Sequence, residues 1–157
     1  MLSTVSFLLC VASLYLSAEV QAINYQQCTW NNYQSQQVGT VQTCTINKQS
    51  ASSALKVTYA ATMSVLCPGS LCCGKWYFTF NGNECTSPDT IEGIVHVNDN
   101  QNNPMSTSRH RQITGICENL PIGNVAVAVR VGNCPYYGTT SKHSGWGTVS
   151  RIIIEEY

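Results

Sequence analysis

Hydrophobic and polar residues alternate along most of this chain, and this two-residue period is typical of β-strands that bury one face. Residues 55–65 carry Leu, Val, Tyr, Ala, Met and Val at every second position. Residues 75–80 place aromatic side chains in the same pattern, and Asn81-Gly82 then supplies the residue pair typical of a type I′ hairpin turn. The pattern predicts two strands, the second of which ends in a tight turn.

A third alternating segment, residues 125–131, has Val at every second position. The small residues between them, Ala126 and Ala128, predict a central strand whose second face is also covered. Further strands are predicted over residues 38–46, 91–97, 111–117 and 148–155. Roughly seven or eight short strands in one domain favour an all-β fold, a disulfide-stapled antiparallel β-sandwich or jelly roll. We predict no helix and no collagen-like segment with Gly at every third position.

The chain opens with an apolar leader over residues 5–16, which is too short to span a bilayer. Small residues follow it at Ser17, Ala18 and Ala22. These features predict a secretory signal peptide over residues 1–22, with cleavage after Ala22, or alternatively after Ala18. Residues 23–157 contain no second apolar run of membrane-helix length, so we expect a single secreted domain with no membrane span, located in the extracellular space or matrix.

The chain has nine cysteines, and Cys10 lies in the predicted leader. An even set in a small exported domain predicts four disulfides among the remaining cysteines, which are Cys28, Cys44, Cys67, Cys72, Cys73, Cys85, Cys117 and Cys134. Cys72 and Cys73 project to opposite faces of an extended strand, so we expect them to bond different partners. The alternative, zinc bound by the clustered Cys67, Cys72 and Cys73, is disfavoured because the chain has no C-x-x-C pair. The connectivity stays open at this level.

The net charge and the missing sequence motifs argue against several classes of function. The chain has 8 basic and 8 acidic residues and thus no net charge, so we expect no nucleic-acid partner. No Asn-x-Ser/Thr triplet occurs, so N-glycosylation is not expected. The histidines, His96, His110 and His143, have no recognisable nucleophile or metal-ligand motif nearby, and the carboxylates form no recognisable catalytic pair. We therefore expect no enzyme, no catalytic residue, no metal and no cofactor.

Two polar segments are candidates for ligand binding. Residues 98–103 offer amide oxygens and one carboxylate, which is too little charge for a good calcium site, so we interpret this segment as a polar loop. Arg109, His110 and Arg111 form a small cationic group that suits sulfated glycans or an acidic receptor surface. The alternative is solvated charge on an edge strand, which protects against aggregation.

Several sequence strings resemble one known family. They are CCGKWYFTFNGNEC (72–85), Ile91-Glu92, SRIIIEE (150–156), Asn24-Tyr25, QCTW (27–30), Glu118, VGNC (131–134) and Gly145-Trp146. The chain is similar to the C-terminal domain of the collagen triple helix repeat-containing protein, over nearly all of residues 23–157. All eight cysteines of the predicted domain fall at positions that match the family's.

The resemblance implies a secreted, non-enzymatic module that forms homotrimers and brings Wnt ligands together with Frizzled-type receptors. It also implies a connection with matrix remodelling and collagen deposition. The chain departs from its relatives in two ways: it has no collagen repeat, and it reads Pro104-Met105-Ser106-Thr107 where they carry a glycosylation triplet.

The leading hypothesis is a binding module of the extracellular matrix or cell surface, acting as a structural matrix component or as a Wnt cofactor. A second hypothesis is a carbohydrate-binding jelly roll, in which exposed aromatic side chains stack on sugar rings; the residues considered are Trp30, Tyr136, Tyr137 and Trp146. A third, a secreted hydrolase, requires a histidine beside a Ser or Cys nucleophile in a cleft.

Overall fold

The computed structural model describes residues 23–69, 71–98 and 105–157, which form two antiparallel β-sheets and no helix. The first sheet contains β1 (Asn24–Trp30), β2 (Gln34–Gln36), β4 (Leu55–Cys67), β8 (Met105–Cys117), β10 (Ser141–Ser144) and β11 (Ser150–Glu156). The second contains β3 (Gly39–Lys48), β5 (Leu71–Phe80), β6 (Asn83–Glu84), β7 (Glu92–Asn98) and β9 (Gly123–Gly132). The predicted all-β, disulfide-stapled sandwich is confirmed.

Strand β4 organises the first sheet. Its 13 residues pair along their full length with β8 on one side. On the other side, residues 55–60 pair with β11 and residues 63–66 with β10. Strand β1 then extends the sheet beyond β11, and β2 extends it beyond β10. Strand β8 is therefore an edge strand, since no other described strand pairs with its far side.

In the second sheet, β9 lies between β3 and β5, as its apolar pattern predicted. Strand β5 pairs on its far side with β7 and with the short β6. The turn between β5 and β6 is the predicted two-residue turn, in which Asn81 and Gly82 both have positive φ, 50° and 88°. Glycine adopts this conformation without strain, and asparagine tolerates it better than most residues.

The hydrophobic core lies between the two sheets. The six alternating apolar residues of β4 are at most 1% exposed. They face the inward rows of β5 and β9, which include the fully buried Trp76 and Phe78. Burial of these rows is the main favourable contribution to folding.

The structure also corrects details of the strand predictions. The predicted strand over 111–117 begins earlier, at Met105, and β1, β2 and β10 were not predicted. We predicted that the face of β9 with Ala126 and Ala128 is also covered. This was wrong, because both residues are only half-buried on the outer face of the second sheet. Their surroundings on this face include the cross-strand neighbours Thr45 and Thr79.

Some predictions concern residues outside the described segments. The predicted signal peptide over residues 1–22, with Cys10, lies there, as do residues 99–103 of the predicted polar loop. Within the described segments, no helix has the length and apolar character needed to cross a bilayer.

Candidate functional site

Four disulfides fix the scaffold. The pairs are Cys28–Cys44, Cys67–Cys72, Cys73–Cys134 and Cys85–Cys117. The first joins β1 to β3 and the second joins β4 to β5, so both connect the two sheets. Cys72 and Cys73 bond different partners, as their opposite directions predicted. Among the described residues, no group of His, Cys, Asp and Glu side chains is arranged to hold a metal ion.

At one end of the first sheet, Tyr33, His143 and Trp146 form a group that we call the aromatic corner. Tyr33 precedes β2, His143 lies on β10, and Trp146 lies in the turn between β10 and β11. Pairing of β10 with β2 places His143 opposite Ser35, close to Tyr33. The corner is therefore assembled from segments 110 residues apart in the chain.

The rings of the aromatic corner contact one another. Tyr33 stacks on His143 with ring centroids 5.3 Å apart, and Trp146 meets Tyr33 edge-on at 5.7 Å. Trp146 and Tyr33 are nevertheless 62% and 48% exposed, and they line a shallow pocket of about 280 Å³. Exposed aromatic side chains with one polar end are common at binding surfaces.

The turn that carries Trp146 is conformationally restricted. Gly145 and Gly147 both have positive φ, 78° and 65°. A Cβ atom on Gly145 would lie 2.7 Å from the carbonyl oxygen of Asn32, so only glycine fits against the segment that leads to Tyr33. The Gly145 amide also donates to the carbonyl of Thr62 at 2.9 Å. The indole is thus held outward by a turn that is bonded to the sheet.

His143 and Lys142 show how the corner is supported. The Tyr33 hydroxyl and Nδ1 of His143 form a hydrogen bond, and burial lowers the pKa of His143 below its ordinary value. Beneath them, Lys142 is buried, and its ammonium donates to the carbonyl of Gln37 at 2.7 Å and to Oδ1 of Asn133 at 2.8 Å. Burial likewise lowers the pKa of Lys142.

Of the aromatic residues considered from the sequence, only Trp146 belongs to this corner. Trp30 is partly buried and packs against the core. Tyr136 is fully exposed, and Tyr137 places its ring edge-on to His96, with centroids 5.2 Å apart. Tyr33 and His143 were missed in this role, because the β2–β10 pairing that brings them together leaves no local pattern in the sequence.

Arg109, His110 and Arg111, which we call the basic edge, are all exposed on β8. Arg109 and Arg111 lie opposite Met63 and Ala61 of β4, whose side chains face the core. The two arginines therefore occupy the inward face of an edge strand, yet they remain exposed to solvent. Inward-pointing charge of this kind blocks pairing with another chain, so the aggregation-blocking interpretation fits their position.

A pocket of about 520 Å³ lies around Glu156. Its carboxylate accepts hydrogen bonds from the Asn24 amide, from Ser53 Oγ and from the backbone amides of Gln49 and Ser50. Partial burial by itself would raise the pKa of Glu156, but these bonds outweigh it and lower the pKa to about 2. Glu156 thus connects β1, β11 and the β3–β4 loop.

Comparison with protein families matches residues 20–154 to the family described as CTHRC1, C-terminal domain. The matched segment contains all eight disulfide-bonded cysteines, the aromatic corner and the basic edge.

Proposed function

The chain belongs to the CTHRC1 C-terminal domain family, which is related to the extracellular matrix, and on this premise we propose that it is a secreted, non-enzymatic binding module of the matrix or cell surface. Its four disulfides are the observation that carries the proposal. Bridges of this number persist in oxidising compartments and suit a protein that acts outside the cell.

The non-enzymatic character is supported by the surroundings of the histidines. His143 hydrogen-bonds to a tyrosine hydroxyl, and His96 contacts the ring of Tyr137. His110 is exposed on the edge strand. The proposal is tested by incubating the purified protein with fluorogenic ester, peptide and glycoside substrates. Turnover that co-purifies with the protein and is lost in His143→Gln would contradict it.

The proposed partners are matrix components or Wnt ligands and Frizzled-type receptors. Pulldown against Wnt and Frizzled ectodomains, run beside retention in salt-washed insoluble matrix, separates the two roles. Receptor binding supports a signalling cofactor. Retention without receptor binding supports a structural component, and the absence of both overturns the proposed module.

We propose that the domain acts as a homotrimer, which would give it three copies of each contact surface and raise its avidity. Light scattering of the secreted protein, with and without reductant, tests this. A trimer mass without reductant supports the proposal, and a monomer mass at all working concentrations rejects it. A mass that falls only with reductant would place intermolecular disulfides in the trimer.

A second candidate function, carbohydrate binding, is favoured by the geometry of the aromatic corner. The ring planes of Trp146 and Tyr33 are at 73° to each other, so a sugar ring can stack on one ring and contact the edge of the site formed by the other. A glycan array tests this with wild type, Trp146→Ala and Tyr136→Ala. Tyr136 is an exposed aromatic residue outside the corner and serves as the matched control. Binding lost only in Trp146→Ala supports the function, and an array without hits rejects it.

A further inference from the structure

The arginines of the basic edge have no acidic partner among the described residues; Arg130 and Arg151 share this, but they lie singly on two other strands, whereas Arg109 and Arg111 lie together on β8. Lys56 pairs with Glu155 at 3.1 Å, and Lys75 pairs with Glu92. The buried Lys48 and Lys142 donate to backbone carbonyls instead. Among the described residues, Arg109 donates one hydrogen bond, from Nη1 to the carbonyl of Ser108 at 2.9 Å, which leaves its other donors for a ligand.

Distance also separates the basic edge from the Lys56–Glu155 ion pair. Arg111 lies opposite Ala61, five positions along β4 from Lys56 and its partner Glu155. Five strand positions correspond to roughly 17 Å. The Debye length at physiological ionic strength is about 8 Å, so the carboxylate of Glu155 is screened from Arg111. Because neither arginine forms an ion pair with a described carboxylate, the basic edge is a local positive region on a chain with no net charge.

The arginines are arranged for an extended anion. Arg109 and Arg111 are two positions apart on one strand, so their side chains leave the same face, with Cα atoms roughly 7 Å apart. Strand β8 is at the edge of its sheet, and Ser108 and Gln112 beside the arginines are exposed and polar. A linear polymer can thus run along the strand and meet both guanidinium groups.

The surroundings favour a polysaccharide over a protein partner. Protein interfaces are usually anchored by aromatic or large apolar side chains that become buried at the centre. The middle of β8, residues 108–112, has none. Binding here must therefore rely on charge and hydrogen bonds. Guanidinium groups form paired hydrogen bonds with the oxygens of tetrahedral anions such as phosphate, and sulfate presents oxygens in the same arrangement.

We propose that the basic edge binds sulfated glycosaminoglycan chains, with Arg109 and Arg111 as the residues that contact sulfate. This inference rests on the proposed extracellular binding role and names one class of partner for it. It also gives the edge arginines a role beyond protection against aggregation.

The test measures binding of the purified secreted protein to immobilised heparin over a range of NaCl concentrations. Wild type is compared with Arg109→Gln/Arg111→Gln, and Lys56→Gln/Lys75→Gln is the matched control because it removes the same charge from positions already paired with carboxylates. We expect the arginine variant to bind roughly tenfold or more weakly. We also expect the slope of the logarithm of the binding constant against the logarithm of the NaCl concentration to become shallower by about 2, one for each lost contact. The control variant should retain wild-type binding.

Three results would overturn the inference: no wild-type binding at physiological salt, undiminished binding by the arginine variant, or equal losses in both variants. Hyaluronan, which carries carboxylates but no sulfate, and polyglutamate serve as competing probes. Displacement by either as effectively as by soluble heparin would point to another polyanion or to an acidic protein instead. Retention in salt-washed matrix is measured in parallel, so matrix retention without heparin binding rejects this inference and leaves the proposed function standing.

Discussion

Trp76 and Ser144 connect the two sheets through a hydrogen bond inside the core. The indole Nε1 of Trp76, on β5, donates to Oγ of Ser144, on β10, at 2.9 Å. Trp76 is fully buried and Ser144 is 2% exposed, so no water competes for the bond. Since β10 also carries His143, this bond ties the strand under the aromatic corner to the opposite sheet.

Ser144→Ala should lower the free energy of unfolding by about 1–3 kcal/mol, because it leaves the buried indole N–H without this acceptor. Ser141→Ala on the same strand is the control, since Ser141 is half-buried on the outer face. Urea unfolding monitored by tryptophan fluorescence measures both. Equal stability of the two variants would show that the bond contributes nothing to the fold.

Glu156 gives the fold a dependence on acid pH. Its folded-state pKa of about 2 lies below the ordinary value of 4.5, so the carboxylate stabilises the fold above pH 4.5. This contribution is lost as the pH falls from about 4.5 through 2. Glu156→Gln should cost about 1–3 kcal/mol at pH 7 and flatten this part of the pH profile.

Glu155→Gln is the matched control for Glu156. Glu155 pairs with Lys56 on the outer face, where solvent screening leaves ion pairs little effect on stability. Unfolding free energies from pH 7 down to pH 3 compare the two variants with wild type. If Glu156→Gln keeps the wild-type acid slope, then the hydrogen bonds around this carboxylate are not its cause.

The strands that could be predicted from the sequence are those whose inward and outward faces differ sharply. Strand β4 and strand β9 have this character, with large apolar residues along the inward face and mostly small or polar residues on the other. Strand β1 was missed because its alternate residues are only half-buried and include the polar Asn24 and Gln26. Strands β2 and β10 were missed because they are 3 and 4 residues long and carry no apolar residue.

The sites were less predictable than the strands because they depend on contacts between distant segments. The four disulfides close sequence separations from 5 to 61 residues, and spacing alone does not select among the pairings. The contact between Tyr33 and His143 follows from strand pairing in the same way. By contrast, Arg109, His110 and Arg111 are adjacent in the chain, so the basic edge was visible as a cluster.

The disulfides should differ in their contributions because they close loops of different length. Cys73–Cys134 spans 61 residues and Cys67–Cys72 spans 5. By loop-closure entropy, Cys73→Ala/Cys134→Ala should cost about 4 kcal/mol and Cys67→Ala/Cys72→Ala about 2 kcal/mol. Both variants lose two sulfur atoms, so the difference between their unfolding free energies reports the effect of loop length. Chemical denaturation measures both free energies. An equal loss in the two variants, or a larger loss for Cys67→Ala/Cys72→Ala, would contradict this account.

His143 should make the aromatic corner sensitive to mild acid. Its pKa is lowered by burial relative to the unfolded value of 6.5, so its contribution to stability is present above pH 6.5. The contribution is lost as the pH falls below 6.5 through the folded-state pKa, because burial disfavours the charged imidazolium in the folded protein. His143→Gln should remove this slope, with His110→Gln as the control for loss of an exposed histidine. The Trp146 indole resonance, followed by NMR from pH 8 to 5, reports the local change, and an unchanged resonance in wild type would argue against it.

Gly74, on β5, lies beside Trp76 and faces Val65 of the opposite sheet. A Cβ atom there would come within 2.7 Å of Val65 Cγ2 and 2.9 Å of Trp76 Cζ3. Both neighbours are fully buried and cannot move without disturbing the core, so Gly74→Ala should cost about 1–3 kcal/mol. Gly138→Ala is the control, because nothing lies within 4 Å of its added methyl group, and it should be neutral or stabilise by about 0.4–1 kcal/mol. Because Trp76 also bonds to Ser144, Gly74→Ala should disturb β10 as well. Thermal unfolding measures both variants, and an unchanged midpoint in Gly74→Ala would show that the core is loose enough to accommodate the methyl group.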